Sequence, residues 1–128
     1  MNAAYCSSHM NLQEEIIRFV EELNNSAIPA IVEGKKDKAA LEELGIKQCL
    51  TLNKGEALYH VVESLTAKEI AILTDLDKEG KALYGKLHEE CTRRGIKINN
   101  HLRNFLLKET PLGTIEGLPA FLRNNGNI

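Results

Sequence analysis

Two stretches decide the reading: Ile28-Pro29-Ala30-Ile31-Val32-Glu33-Gly34-Lys35-Lys36-Asp37, and Ile70-Ala71-Ile72-Leu73-Thr74-Asp75-Leu76-Asp77-Lys78-Glu79-Gly80. Each begins as a short apolar run rich in aliphatic residues, the pattern of a buried strand. Each then breaks into carboxylates, lysine and glycine. Pro29 is compatible with a strand because it stands at the start of the run, where its missing N–H costs no ladder bond. Strands that are apolar without alternation are covered on both faces, as in a parallel sheet.

Working outward, helical and strand patterns alternate. Leu12, Ile16, Ile17, Phe19, Val20 and Leu23 recur at helical spacing over Asn11–Asn25, ahead of the first strand. Asp37 to Leu44 reads as a helix closed by Gly45, Lys47 to Leu52 as a second strand ending at Asn53-Lys54-Gly55, and Glu56 to Leu65 as a further helix. After the third strand, Leu83, Leu87 and Cys91 mark one face of a helix from Lys78 to Arg94, and Ile96 to Ile98 is a short fourth strand. A helix-like stretch around His101–Leu107, a break at Pro111-Leu112-Gly113 and an apolar segment from Ile115 to Leu122 complete the chain. This alternation predicts an α/β fold with a four-stranded, mostly parallel sheet flanked by helices. At 128 residues and 43% hydrophobic, the sequence suits one domain over 10–128. Residues 1–9, ending in Ser-His before Met10, read as an expression-tag remnant.

In an open parallel sheet, ligands bind beyond the carboxyl ends of the strands, and Glu33, Asp75 and Asp77 fall at such ends. Two residues apart on extended backbone, Asp75 and Asp77 project to the same side and can approach one cation. Magnesium, with manganese as a substitute, takes hard oxygen ligands and keeps several waters, so one or two carboxylates and a substrate phosphate suffice. The alternative for the aspartates is capping of the helix that begins at Lys78. Lys35, Lys36, Lys78 and Lys81 either hold a nucleic-acid strand through its phosphates or neutralise the acids. Gly34 would let backbone approach a phosphate, and Gly80 sits where a Cβ would crowd the groove.

The joint pattern of a strand followed by Glu33-Gly34-Lys35-Lys36-Asp37, and a later strand followed by Asp75-Leu76-Asp77-Lys78-Glu79-Gly80, resembles the Toprim family. The resemblance spans Ile28 to Ile98 and implies a Rossmann-like Toprim fold. That family includes bacterial primases, type IA and type II topoisomerases, ribosomal-RNA maturation nucleases, overcoming-lysogenization-type nucleases and recombination-repair proteins. By that resemblance, Glu33 is the general acid or base, Asp75 and Asp77 (with Glu33) bind metal, and Gly34 and Gly80 are the motif glycines. The form Glu33-Gly34-Lys35-Lys36-Asp37 is most similar to the small standalone proteins of the ribosomal-RNA maturation branch. Glu116, in Ile115-Glu116-Gly117-Leu118, is either an echo of a late acidic position in that branch or plain surface.

The expectation is therefore magnesium-dependent endonucleolytic cleavage of RNA or DNA. The alternative is a non-catalytic module that holds metal and phosphate within a nucleic-acid complex. Tyr59 and Tyr84 lie within helical patterns of this same domain, which excludes a complete topoisomerase, and the length excludes a bacterial primase. A haloacid-dehalogenase-like phosphatase also carries Asp-x-Asp, but its motif expects Thr or Val where Glu79 stands. The net charge of −2 hides an uneven distribution, acidic over 11–77 and basic over 78–108, where Lys78, Arg93, Arg94, Arg103 and Lys108 suggest a phosphate-facing stripe. With no aromatic stacking platform in evidence, affinity for nucleic acid would depend on a homodimer or a partner protein. Cys6, Cys49 and Cys91 have neither disulfide nor zinc spacing, and His60, His88 and His101 lack ligand spacing. No apolar run reaches the roughly 18 residues of a membrane span and no signal-peptide pattern opens the chain, so a cytoplasmic location is expected.

Overall fold

The computed structural model describes residues 10–52 and 57–125. The expected tag remnant with Cys6, the expected turn at Asn53-Lys54-Gly55 and the expected helix start at Glu56 lie outside the described residues. The elements run α1 (Leu12–Asn25), β1 (Ala30–Val32), α2 (Lys35–Glu43), β2 (Cys49–Thr51), α3 (Leu58–Glu63), β3 (Glu69–Ile72), α4 (Lys78–Arg93), β4 (Lys97–Ile98), α5 (His101–Glu109) and α6 (Leu118–Asn125). The strand order is β2-β1-β3-β4, and every pairing is parallel: Ala30 opposes Cys49 and Ala71, and Glu69 opposes Lys97.

Local chemistry sets the boundaries. Asn11 caps α1 through a reciprocal pair in which the Glu14 N–H donates to Asn11 Oδ1 and the Asn11 N–H donates to Glu14 Oε1. α2 begins at Lys35, two residues before the expected Asp37, because Asp37 is its third helical residue and reaches back to accept the Gly34 N–H at 3.2 Å. The ordered strands are shorter than their apolar runs. Beyond β3 the Leu73 N–H still donates to the Ile31 carbonyl at 2.8 Å, and Leu73 and Thr74 stay buried, which carries the backbone toward Asp75 without exposing apolar surface.

The period-two alternation of the strands sorts the core into two layers. Ala30, Val32, Ala71 and Leu73 pack with Ile16, Val20 and Leu23 of α1, Leu41 of α2, Leu102 and Leu106 of α5, and Leu118 and Leu122 of α6. Ile31, Ile70 and Ile72 pack on the other face with Val62 of α3 and Leu87 and Cys91 of α4. Helices thus cover both faces of the sheet, which is why the strands need no polar alternation. Because β1 is flanked by β2 on one side and β3 on the other, the chain reverses its winding there. A crevice opens between the carboxyl ends of β1 and β3. Among the described residues, no helix is long and apolar enough to cross a membrane.

Candidate carboxylate and metal site

Glu33 leaves β1 and Asp75 follows β3 by three residues, so the two meet across the crevice. The Asp75 N–H donates to Glu33 Oε2 at 2.8 Å. Asp75 is half-buried, and its Oδ1 accepts the N–H of Ile115 at 3.0 Å, from the segment between α5 and α6. Leu76 turns into the core at 4% exposure, and its N–H donates to the Gly113 carbonyl at 2.9 Å. The exposed Asp77 caps α4, with Oδ1 accepting the Gly80 N–H at 2.8 Å. The capping role expected as the alternative for the aspartates is thus present at Asp77.

Gly80 explains how the motif loop and α4 fit together. A Cβ there would lie 1.9 Å from the Asp75 carbonyl oxygen and 2.4 Å from its carbon. Only glycine lets the first turn of α4 press on the Asp75 backbone, and Thr74 Oγ1 fastens the contact by donating to the Gly80 carbonyl at 2.8 Å. Gly34 differs: it is extended, with φ −151°, and the nearest atom to a Cβ built there is Asp37 Oδ2 at 4.0 Å.

Two residues that sequence reasoning did not assign belong to the site. Asp37 is 8% exposed, and its carboxyl is pushed above the usual range by burial, then by the charge of Asp75, with smaller contributions from Glu33 and Glu116; the Gly34 N–H acts the other way. Asp37 was legible as the third helical residue of a capping box, a position that carries an acid for local reasons. Glu116 is exposed, yet its charge reaches Asp37. The second residue is Arg103, expected on the phosphate-facing stripe but found inside the protein at 2% exposure. Its Nη1 donates to the Thr74 carbonyl at 2.6 Å and its Nη2 to the Asp75 carbonyl at 3.0 Å, while the guanidinium lies 4.6 Å from the centre of the Tyr84 ring. Its place between Leu102 and Leu106 on the buried side of α5 was the available signal. The rest of the stripe also divides: Arg93 and Arg94 pair with Glu90 of their own helix. Lys35, Lys36, Lys78 and Lys81 are exposed around the site and join no ion pair among the described residues. The histidines stand elsewhere: His60 and His88 lie against the Tyr59 and Tyr84 rings, and His101 Nδ1 is 2.7 Å from Glu22 Oε2.

Among the described residues, no three His, Cys, Asp or Glu side chains converge as a complete metal cage. The donors instead fit a hydrated hard cation, which requires only one or two carboxylates, water and a phosphate. Glu33, Asp75 and Asp77 each spend one oxygen on a backbone N–H, and the second oxygen of each has no hydrogen bond among the described residues.

Comparisons with known proteins agree with this fold. The Toprim domain family matches residues 29–100. A UPF0292 protein of Thermoplasma volcanium is 35% identical over 99 residues, covering 75% of this chain and 83% of that protein. Another, from Methanocaldococcus jannaschii, is 33% identical over 116 residues, covering 85% of this chain and 91% of that protein. A solved structure of an Aquifex aeolicus protein superposes with a TM-score of 0.72 at 31% identity, covering 83% of this chain and 96% of that one.

Proposed function

Given that the chain belongs to the Toprim domain family, we propose that Glu33, Asp75 and Asp77 support magnesium-dependent hydrolysis of phosphodiester bonds in RNA or DNA. The observation that carries this reading is the junction of Glu33 with the Asp75 amide at the crevice between β1 and β3. Asp75 and Asp77 would hold the ion through the oxygens not bound to backbone, with Glu33 Oε1 kept for the proton. When bound, magnesium supplies charge stabilisation at the phosphate and leaving oxygen. Glu33 moves a proton through Oε1 while Oε2 stays on the Asp75 N–H, which fixes the carboxylate's orientation during the transfer. Lys35 and Lys36 at the start of α2, with Lys78 and Lys81 in the first turn of α4, grip phosphates flanking the scissile bond. Gly34 leaves open space for that strand.

The test is a magnesium and manganese titration against structured RNA, duplex DNA and single strands, with a chelator control. Glu33→Gln and Asp75→Asn keep the acceptors for the Asp75 and Ile115 N–H groups, so both should fold while removing the chemistry. Glu33→Gln should slow cleavage by about 10²–10⁴-fold, and Asp75→Asn should abolish it. Cleavage by either variant at the parent rate refutes the assignment. The second reading, a module that binds metal and nucleic acid without turnover, would use the same carboxylates and the same exposed lysines. Metal-dependent binding without cleavage of any substrate would select it.

A further inference from the structure

Arg103 lies on α5, beyond the matched segment 29–100, yet it grips the backbone of the residue on which the proposed metal site depends. A guanidinium at 2% exposure is costly to bury unless its charge is answered. Among the described residues no carboxylate lies within ion-pair distance of it. What answers it is the field of Glu33 and Asp75, the face of Tyr84, and two consecutive carbonyl oxygens. An apolar residue on α5 would fill this space without the desolvation cost, so the fork itself is what the position requires.

The fork's effect follows from its rigidity. Five N–H donors in one plane, held flat by the Tyr84 ring, fix the orientation of both the Thr74–Asp75 and Asp75–Leu76 peptides. The first of these peptides carries the N–H bound to Glu33 Oε2. Asp75 is therefore held from three sides: its carbonyl by Arg103, its N–H by Glu33, and its Oδ1 by the Ile115 N–H. We infer that Arg103 is a positioning residue of the carboxylate site: it orients Asp75 for the metal ion while its buried charge is balanced by the acids of that site. This rests on the metal-binding part of the reading above and is independent of whether cleavage occurs.

The test measures Mn²⁺ affinity by titration calorimetry, alongside metal-free thermal melts, for the parent, Arg103→Lys, Tyr84→Leu and the surface control Arg94→Gln. Lysine keeps the charge but cannot hold two carbonyls in one plane. Arg103→Lys should bind Mn²⁺ about 10-fold or more weakly, the scale for supporting residues of a metal site, while retaining a cooperative melt. Tyr84→Leu removes the ring beneath the guanidinium and should weaken binding by a smaller factor. Arg94→Gln should bind as the parent does. If Arg103→Lys folds and both it and Tyr84→Leu match the parent's affinity, Arg103 is only structural and the inference falls while the metal site stands. If Arg103→Lys does not fold, Tyr84→Leu decides alone. If the parent itself does not bind Mn²⁺, the metal reading and the inference fall together.

Discussion

The contact between Gly80 and Asp75 yields the sharpest prediction, because two glycines on one helix should respond oppositely to the same substitution. A Cβ at Gly80 would stand 1.9, 2.4 and 2.8 Å from the O, C and Cα atoms of Asp75. All three are backbone, so no side chain can rotate away. Restoring carbon contacts of about 3.5 Å requires the start of α4 and the motif loop to separate by roughly 1–2 Å. Overpacking of this kind costs about 1–3 kcal/mol. The separation also strains the Asp77 cap and the Thr74 hydroxyl bond to the Gly80 carbonyl, each worth about 1 kcal/mol. Alanine's better helix propensity returns about 1 kcal/mol. Gly80→Ala should therefore lose roughly 2–4 kcal/mol in urea unfolding, and its Mn²⁺ affinity should fall because the displaced loop carries both aspartates. Gly85, exposed on the same helix with nothing within 4 Å of a built Cβ, should gain about 0.5–1 kcal/mol as alanine. A Gly80→Ala variant as stable as Gly85→Ala would refute the argument that close approach, rather than turn chemistry, requires glycine in this motif.

Other substitutions test other parts of the molecule. Asp37→Asn should raise stability at neutral pH. The folded state holds the Asp37 pKa above 3.8, so this residue's contribution is fully present below that value and is lost as pH rises through the folded pKa. Asparagine keeps an acceptor for the Gly34 N–H without the charge, and its advantage over the parent should shrink as urea midpoints are followed into acid. Burial lifts the Cys49 thiol from 9.0 to about 11 and raises that of Cys91, so both should resist alkylation in the native protein until unfolding exposes them. Fast native labelling of Cys49 at pH 8 would contradict its burial. Ala27, at φ 54°, follows α1 in the left-handed region, and Ala27→Gly should raise the thermal midpoint by relieving about 1 kcal/mol of strain.

The sheet was legible because its strands are apolar on both faces, a pattern that leaves little besides a parallel arrangement covered by helices. The placement of Glu33 and Asp75 was legible for the same reason: strand ends are easy to find when the apolar run stops at an acid. What the sequence concealed is everything that depends on contacts between distant segments. The one local sign for Arg103 is its place between Leu102 and Leu106 on the buried side of α5, and its role appears only when α5 packs over the end of β3. The bond from the Ile115 N–H to Asp75, the bond from the Leu76 N–H to Gly113, and the reach of Glu116 toward Asp37 join positions about forty or more residues apart. Backbone amides of that kind leave no trace in residue identity. The start of α2 was misjudged by two residues because Asp37, its third helical residue, serves the cap and the site together.

The same long-range contacts explain how the fold holds several carboxylates close together at the crevice. Glu33, Asp75 and Glu116 all act on Asp37, whose carboxyl is pushed up first by burial and then by their charges, Asp75's foremost. Three features offset this crowding of charge. Backbone N–H groups of Asp75, Ile115 and Gly34 donate to Glu33, Asp75 and Asp37 respectively, and hydrogen bonds to a carboxylate are among the strong ones. Arg103 adds a full positive charge from beneath, where burial shields it from salt and solvent. The third is geometry, since Asp77 turns one oxygen to the α4 cap and so divides its charge between the crevice and the helix N-terminus. The backbone N–H bonds and the α4 cap each occupy one oxygen of a carboxylate and leave its other oxygen without a hydrogen bond among the described residues. Arg103, fixed behind the site, cannot replace a cation in front of it. On the proposed metal-binding reading, added salt should therefore weaken Mn²⁺ affinity, followed by calorimetry, less than it would for carboxylates fully exposed on a surface.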